Sequence, residues 1–310
     1  GTASLTLTGI GGYTGTKSAV FNIIAKTLTI TAVDKTKVYD SAVYTPTDYT
    51  VTYDGFENSE TKSVLSGTIT YTGTAIAATA SGTYVITPGG LTSSNYSITY
   101  VSGELSITQR SINEASIAAI ADLVYTGSAQ TVSPTVTFNS LNLVEGTDYT
   151  TSFAGNINVG TASITLTGIG NYTGSKTQGF TITTKTLTIT AIDKNKVYDS
   201  AVYTPTDYTV TYDGFVGVED ESVLSDTLSY TGTAIAATNS GTYVITPGGL
   251  TSNNYSITYL SGELSITQKP ITIAITNQTK VFGALDPSPL NAHTISVGSV
   301  YGQTPTGVFT

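Results

Sequence analysis

The sequence predicts an all-β fold: a tandem array of small β-sandwich domains, Ig-like or β-grasp-like, that forms an elongated rod. Three observations support this prediction. They are a long internal repeat, a period-two alternation of polar and apolar residues, and very short connections between the repeating modules. The 310 residues are enough for about two to four domains of ordinary size.

The internal repeat is the strongest of the three observations. Residues 1–109 align without a gap to residues 160–268, an offset of 160 minus 1, or 159 residues, with identity at about four positions in five. Differences concentrate in one hexapeptide, in which Glu57–Lys62 corresponds to Val216–Glu221. Because surface loops tolerate such changes in charge, we expect this hexapeptide to be a solvent-exposed loop.

The strand pattern recurs along both copies. Thr27–Thr31 and Tyr96–Tyr100 alternate polar and apolar residues, which is typical of a strand with one buried face. Asp54-Gly55 and Pro88–Gly90 offer the positive-φ positions that tight hairpins require. The one helical pattern, at Glu114–Leu123, is short and lies between β patterns.

The modules follow one another almost without a linker. A single residue, Ala25, separates the apolar run ending at Ile24 from the strand pattern beginning at Lys26. The connection at Thr184–Lys185 repeats this arrangement. Since such short connections restrict the angle between domains, they favour a rod over flexibly linked beads.

Composition excludes several classes of function. The net charge of -9 and the pI near 4.4 leave no basic surface for nucleic acid. The absence of Cys excludes disulfides, thiolate metal sites and thiol catalysis. No apolar run approaches the ~20 residues of a membrane span. Nothing at the N-terminus is typical of a signal peptide, and since Gly1 is not Met we expect an interior piece of a longer protein.

Three motifs recur in residues 26–109 and again 159 residues later. They are Lys37-Val-Tyr-Asp40, Gly82-Thr-Tyr84 and Asn95-Tyr96. With these motifs the two copies resemble the YDG/MBG group of bacterial surface-protein repeats, although Ser41 and its counterpart Ser200 stand where the family often has Gly. The resemblance implies a place in large secreted adhesins, including gliding and biofilm proteins of Bacteroidota, and supplies no active site.

Two further stretches carry related resemblances. Residues 279–287 are similar to the opening of the YGX type of MBG repeat, with Phe282 for the usual Tyr. Val124–Gly127, Gly146–Tyr149 and Asn158–Ala162 resemble a bacterial surface repeat of Ig-like type. The resulting division is residues 1–25, the C-terminal part of an Ig-like repeat; 26–109, a YDG/MBG-type repeat; 110–184, an Ig-like repeat; 185–268, a YDG/MBG-type repeat; and 269–310, the N-terminal part of a YGX-type MBG repeat.

No set of residues predicts a catalytic, cofactor or metal site. The single histidine, His293, has no second ligand or triad partner nearby in the sequence. Glu219–Glu221 is the densest acidic cluster, yet its counterpart keeps only Glu60, which favours a solvated loop. Six repeated aspartates are spread singly among turns rather than clustered as calcium requires: Asp40, Asp48, Asp54, Asp199, Asp207 and Asp213.

One modification is suggested by short motifs. Asp40-Ser41-Ala42, Asp199-Ser200-Ala201 and Asp226-Thr227-Leu228 resemble the O-glycosylation sites of Bacteroidota. An exposed turn is also where a glycan must sit. We therefore hypothesise O-glycosylation at Ser41, Ser200 and Thr227.

The sequence as a whole predicts a structural stalk or spacer of a large adhesin or surface fibre, outside the bacterial cell, that projects a distal binding region. It is not expected to be an enzyme. The expected partners are neighbouring repeats of the same chain and surface glycans or matrix, with no nucleic acid and no membrane span. Two alternatives stay open: weak glycan or protein binding by each repeat that adds up by avidity, and self-association into a fibre through edge strands.

Overall fold

The computed structural model describes residues 1–275, 277, 279–285 and 293–295. Within them every regular element is a β-strand or a short 3-10 helix, so the all-β prediction is confirmed. In this described part, no helix has the length and apolar character needed to cross a bilayer. The chain divides into two compact units, a first made of Gly1–Ile120, Val132–Ala154 and Ser163–Gly179 and a second made of Ala121–Thr131, Gly155–Ala162 and the described residues from Phe180 onward.

Four parts of the chain are named below by residue range: the N-terminal hairpin (1–25), the first copy (26–109), the central segment (110–184) and the second copy (185–268). The N-terminal hairpin pairs β1 (Thr2–Thr8) antiparallel with β2 (Thr16–Asn22). Its apolar side chains are exposed, Leu5 by 57% and Leu7 by 65%.

The first copy contains seven strands and three 3-10 helices. The strands are β3 (Lys26–Ala32), β4 (Lys35–Val38), β5 (Val51–Asp54), β6 (Ser66–Thr72), β7 (Gly82–Thr92), β8 (Tyr96–Val101) and β9 (Gly103–Thr108), and the 3-10 helices are Pro46–Asp48, Lys62–Val64 and Thr74–Ala77. They form a three-stranded sheet, β5-β3-β8, and a four-stranded sheet, β4-β9-β7-β6. The pairs β3–β8 and β4–β9 are parallel.

The two sheets of the first copy form a sandwich, because β3 of one sheet contacts β7 and β9 of the other. The alternation predicted for β3 turns Leu28 and Ile30 inward, where both are fully buried with Tyr96. A second cluster buries Ile86 and Leu105. With no α-helix in residues 26–109, the sandwich alternative fits this copy and a helix-covered β-grasp does not.

One turn prediction was wrong. Pro88–Gly90 does not end a hairpin but lies inside the long strand β7, opposite β6. Gly90 has the expected positive φ of 88°, but it lies opposite a register shift in the β6–β7 pairing, between Gly67 and Thr70, and not in a hairpin turn. A Cβ on Gly67 would lie 2.3 Å from the carbonyl oxygen of Gly90, so the close backbone approach requires glycine there.

The central segment contains nine strands and one 3-10 helix, Ile112–Glu114. The strands are β10 (Arg110–Ser111), β11 (Ser116–Ile117), β12 (Leu123–Val124), β13 (Val136–Phe138), β14 (Leu141–Asn142), β15 (Tyr149–Ala154), β16 (Gly160–Gly168), β17 (Tyr172–Thr173) and β18 (Ser175–Thr183). Its sheets have the orders β12-β18-β16-β15, β11-β13-β14 and β10-β17. The helical pattern at Glu114–Leu123 gives no helix, because Ser116–Ile117 instead pairs with β13.

The second copy repeats the topology of the first. Its strands are β19 (Lys185–Ala191), β20 (Lys194–Val197), β21 (Val210–Asp213), β22 (Ser229–Thr231), β23 (Gly241–Gly248), β24 (Tyr255–Leu260) and β25 (Gly262–Thr267), with 3-10 helices Pro205–Asp207, Glu221–Val223 and Thr233–Ala236. The sheet orders β21-β19-β24 and β20-β25-β23-β22 correspond strand for strand to the first copy.

The copies differ along the edge of the four-stranded sheet, where β23 also ends earlier than its counterpart β7. The edge strand β22 is shorter than its counterpart β6, and Asp226, with a φ of 68°, stands where the first copy has Gly67. Beyond the second copy, β26 (Ile273–Ile275) pairs with β27 (His293–Ile295). Most of the predicted partial domain at 269–310, with the side chain of His293, lies outside the described residues.

Candidate functional site

The Lys-x-Tyr-Asp motif forms a closed turn at the end of β4. Asp40 accepts hydrogen bonds at Oδ1 from Lys37 Nζ at 2.6 Å and from the Ala42 N–H at 2.9 Å. Lys37 also donates to the Ala42 carbonyl at 2.6 Å. Between them, Ser41 adopts a φ of 63°, the left-handed conformation that glycine takes most easily.

The second copy keeps this turn. Lys196 Nζ lies 2.7 Å from Asp199 Oδ1 and 2.7 Å from the Ala201 carbonyl, and Ser200 has a φ of 62°. The hydrogen bonds from Lys196 and from the Ala201 N–H hold the pKa of Asp199 below its ordinary value. The motif is therefore a structural device that fixes the tyrosine preceding the aspartate.

In the first unit that tyrosine, Tyr39, joins the first copy to the central segment. Its ring meets Tyr172 edge to face, with centroids 5.5 Å apart and an interplanar angle of 79°. Tyr39 packs against the buried cores of both parts. Arg110 Nε donates to the Tyr39 carbonyl at 2.6 Å, and the Arg110 strand pairs in parallel with the Tyr172 strand. We call this contact the tyrosine junction.

Polar groups complete the tyrosine junction. Asn171 Oδ1 accepts from the Ser81 N–H at 2.8 Å and from Ser81 Oγ at 3.2 Å. The Gly170 carbonyl accepts from Gln109 Nε2 at 2.8 Å. Ser81 precedes the Gly-Thr-Tyr motif, whose Tyr84 hydroxyl donates back to the Ala80 carbonyl at 2.9 Å. The motif thereby holds the Ser81 turn in place for the contact.

In the second unit a different contact joins the central segment to the second copy. Glu219 accepts one hydrogen bond at each carboxylate oxygen, from the Tyr125 hydroxyl at 2.7 Å and from the Tyr255 hydroxyl. The two tyrosine rings meet edge to face, 5.6 Å apart at 83°. The Tyr255 oxygen in turn accepts from the Val216 N–H at 3.0 Å. We call this contact the carboxylate junction.

The electrostatics of the carboxylate junction follow from its burial. Burial, together with the hydrogen bond to Glu219, raises the pKa of Tyr255 to about 12. The same carboxylate raises the pKa of Tyr125, chiefly through its hydrogen bond. Both shifts favour neutral hydroxyls that donate to one anionic acceptor, an arrangement stronger than a neutral hydrogen bond.

Asn254, of the Asn-Tyr motif, adds main-chain contacts to the carboxylate junction. Its Oδ1 accepts from the Val159 N–H at 3.1 Å, and its Nδ2 donates to Asn158 Oδ1 at 3.2 Å. Its carbonyl accepts from the Lys185 N–H at 3.1 Å, at the point where the second copy begins. Both residues of the Asn-Tyr pair, Asn254 and Tyr255, therefore form hydrogen bonds in the carboxylate junction.

The first copy carries the same acceptor. The Tyr96 hydroxyl donates to Glu60 and accepts from the Glu57 N–H at 3.0 Å, and Lys26 forms an exposed ion pair with Glu57. The prediction of a plain solvated loop is therefore wrong at one position, because Glu60 and Glu219 are half-buried and hydrogen-bonded. The signal was present, since this Glu is the one residue of the hexapeptide that both copies share.

Comparison with protein families gives one result. The family described as MBG domain (YGX type) matches residues 28–106 and 187–265, which together are just over half of the chain. The chain belongs to the MBG domain family. Both matches fall on the two complete copies. The sequence itself resembles the YGX type at residues 279–287, whereas the family model of that type matches the two copies. No curated protein matches the chain.

Solved structures similar to this MBG protein contain tandem domains. Three titin Ig domains show 10% identity and a TM-score of 0.31, covering 78% of this chain and 96% of that one. The N-terminal four Ig domains of Dscam1 isoform 9.44 show 12% identity and a TM-score of 0.24, covering 60% of this chain and 53% of that one. Domains 4–9 of the surface layer protein SbsC show 12% identity and a TM-score of 0.20, covering 89% of this chain and 56% of that one. This chain spans about half the length of the latter two chains.

The proposed glycosylation positions are exposed in the MBG repeats. Ser41 and Ser200 lie at the tips of the Lys–Asp turns, and the Ser41 hydroxyl donates to the Asp40 carbonyl at 2.6 Å. Thr227 follows Asp226, whose carboxylate accepts from the Thr251 hydroxyl at 2.5 Å. Exposure leaves all three hydroxyls accessible, and their modification stays a prediction.

The acidic residues weighed for calcium do not converge. In the described part of the chain, no three His, Cys, Asp or Glu side chains come close enough to share a metal ion. Several of the aspartates have local partners, as when Asp207 accepts from the Thr204 hydroxyl at 2.7 Å. Each such bond belongs to a turn, which is the role the sequence favoured.

The repeated aromatic residues are part of the cores. Tyr49 packs between Tyr44 and Tyr71, with centroids 5.3 Å from each, and the second copy repeats the triad around Tyr208. The buried Tyr49 hydroxyl donates to the Ala75 carbonyl at 3.1 Å. Packed in this way, the triads support the fold and do not form an exposed platform for sugar rings.

Proposed function

We propose that this chain is a structural spacer, a stalk segment of a large secreted adhesin or surface fibre that projects a distal binding region from a bacterial cell. The observation that carries the proposal is which residues the two copies share. Buried core positions, the Lys–Asp turns and the Glu60/Glu219 acceptor are kept, while exposed positions of the same loop change freely. Selection for length and firm joints produces this pattern; selection for a surface site does not.

Two alternatives receive less support. Weak glycan binding by each repeat needs exposed aromatic residues in both copies, yet the repeated triads lie against the cores. Catalysis needs convergent titratable groups, and the conspicuous ones, Glu219 and Asp40, already serve a junction and a turn. We therefore infer a non-catalytic role, with neighbouring repeats of the same chain as the principal partners.

The extracellular, cell-surface location belongs to the same proposal. It rests on the family resemblance and on the composition, since a chain without Cys or Met lacks the side chains most easily oxidised outside the cell. Antibody labelling of intact bacteria that express the full protein should stain the surface without permeabilisation. Staining that requires permeabilised cells would contradict the location.

The spacer role is tested by adding length. We would compare the 310-residue chain with a chain in which residues 110–268 are repeated directly after Gln268, which adds one 159-residue period. Small-angle scattering should show the maximum dimension growing by about 60–80 Å for the added period. A matched control inserts a Gly-Ser linker between Thr184 and Lys185. If the maximum dimension of the chains without the linker grew only as the square root of chain length, the spacer role would be refuted.

A further inference from the structure

The N-terminal hairpin repeats the sequence of strands in the central segment whose apolar face is buried, but its own apolar face is exposed. Its residues 1–24 correspond, 159 positions on, to β16–β18 of the central segment. Ile164 and Leu166 are fully buried there, whereas their counterparts Leu5 and Leu7 are more than half exposed. Three further positions show the same contrast, with Tyr13, Phe21 and Ile23 exposed and Tyr172, Phe180 and Ile182 buried.

The cover in the central segment comes from residues that precede Gly160. One buried cluster joins Ile164, Leu166 and Tyr172 to the side chains of Ile112, Ala115, Val136, Leu143 and Tyr149. Leu123 pairs in parallel with Ile182. Apart from Tyr39 of the first copy, which packs against Tyr172, the side chains that join this cluster from outside the face belong to residues 110–159, a half-repeat that carries the Tyr-Thr-Gly motif.

The first copy also presents the polar half of the carboxylate junction. Glu60, Asn95 and Tyr96 occupy the positions of Glu219, Asn254 and Tyr255. Tyr96 donates to Glu60 just as Tyr255 donates to Glu219, so the acceptor is already positioned. In the second unit the same acceptors take the Tyr125 hydroxyl and the Val159 N–H, both from residues 110–159.

We infer that the N-terminal hairpin, together with Glu60 and Asn95, forms a docking surface for a half-repeat built like residues 110–159. The apolar face receives its core side chains, Glu60 accepts its Tyr-Thr-Gly tyrosine, and Asn95 accepts the N–H of its last residue. One contact of the central segment is not reproduced, because Ile24 replaces Thr183, whose hydroxyl donates to the Leu123 carbonyl at 3.0 Å. The inference rests on the repeat and not on the spacer role.

The test uses the full chain with and without an added copy of residues 110–159 joined directly ahead of Gly1, as Val159 is joined to Gly160. Hydrogen exchange of peptides covering β1 and β2 should slow about tenfold or more when the added copy docks. The matched control carries Ile112→Asp and Val136→Asp in the added copy only. Exchange in β1 and β2 that is unchanged, or slowed equally by the control, would overturn the inference.

A second variant tests the polar part separately. Tyr125→Phe in the added copy alone removes one hydroxyl and keeps the apolar cover. Protection of β1 and β2 should persist, while the loop containing Glu60 should exchange several-fold faster than with the unaltered added copy. Unchanged exchange in that loop would remove Glu60 from the docking surface. Exchange in β18, which occurs only in the original central segment, reports that the chain remains folded in every variant.

Discussion

Replacing Glu219 by Ala should weaken the carboxylate junction more than any other single polar change. The substitution removes the acceptor of two tyrosine hydroxyls, one in the central segment and one in the second copy. Tyr125 and Tyr255 are both almost completely buried, at 5% and 3% exposure. Their hydroxyls therefore have little access to replacement water.

The magnitude follows from the two lost bonds. A hydrogen bond to a charged group contributes about 1.5–3 kcal/mol when its partner is removed. Glu219 itself is only half-buried, so water entering the gap should recover part of that loss. We expect a net loss of about 3 kcal/mol, which is about a hundredfold in the local opening equilibrium. Glu219→Gln, which keeps one acceptor oxygen, should fall between wild type and Glu219→Ala.

Hydrogen exchange measured by mass spectrometry suits this prediction, because a chain of several domains does not unfold in one two-state transition. Peptides spanning β12 and β24 should exchange faster in Glu219→Ala, while peptides from β7 of the first copy should not change. Glu60→Ala is the matched control, since Glu60 accepts from Tyr96 alone among the bonds described here. If both substitutions accelerate exchange equally, Tyr125 adds nothing to the junction and the argument fails.

Three other expectations concern the core, the pH dependence and the turns. Ile164→Ala should cost about 3–4 kcal/mol of local stability and Leu5→Ala less than about 1, because the same repeat position is buried once and exposed once. The pKa of Tyr255 is near 10 in an unfolded chain and about 12 in the folded one. The stabilisation that its neutral hydroxyl gives the folded state is therefore complete below pH 10 and is lost between pH 10 and 12. In a bacterial host that O-glycosylates Asp-Ser turns, intact mass should reveal a glycan at Ser41 and at Ser200.

Each of these has a clear contrary result. Equal losses from the Ile164 and Leu5 substitutions, measured by exchange in their own strands, would mean that the hairpin is already covered. Alkaline unfolding should have a shallower slope in Tyr255→Phe, and an unchanged slope would assign the titration to other tyrosines. Peptide mapping that finds both serines unmodified in such a host would remove the glycosylation hypothesis.

The strands and the repeat were predictable because they depend on local patterns. Alternation located β3 and β8 to within a residue or two, and the gapless alignment implied that the copies share a fold. Pro88–Gly90 was assigned to a hairpin because glycine marks positive φ without saying whether a turn or a bulge uses it. That choice depends on the partner strand β6, which no local pattern reveals.

The junctions were harder to predict because their residues are far apart in the sequence. Tyr125 and Glu219 are 94 residues apart, and Ser81 and Asn171 are 90 apart. The charge changes in the hexapeptide indicate a variable loop, and a single shared residue, Glu60 in one copy and Glu219 in the other, stands against that pattern. Asn171 gave no such signal, since its counterpart in the first copy is Gly12.

The parallel pairing of β3 with β8 affects how the chain must be made. β3 is the central strand of its sheet, yet one of its two neighbours is the next-to-last strand of the same copy, so the sheet cannot close until nearly the whole copy has left the ribosome. β19 has the same seven-residue sequence as β3 and would accept β8 equally well. Synthesis from the N-terminus favours the pairing with β3 over that with β19, because β8 emerges before β19 has been made. Refolding from denaturant removes that order, and strands crossed between the copies become the expected misfolded product.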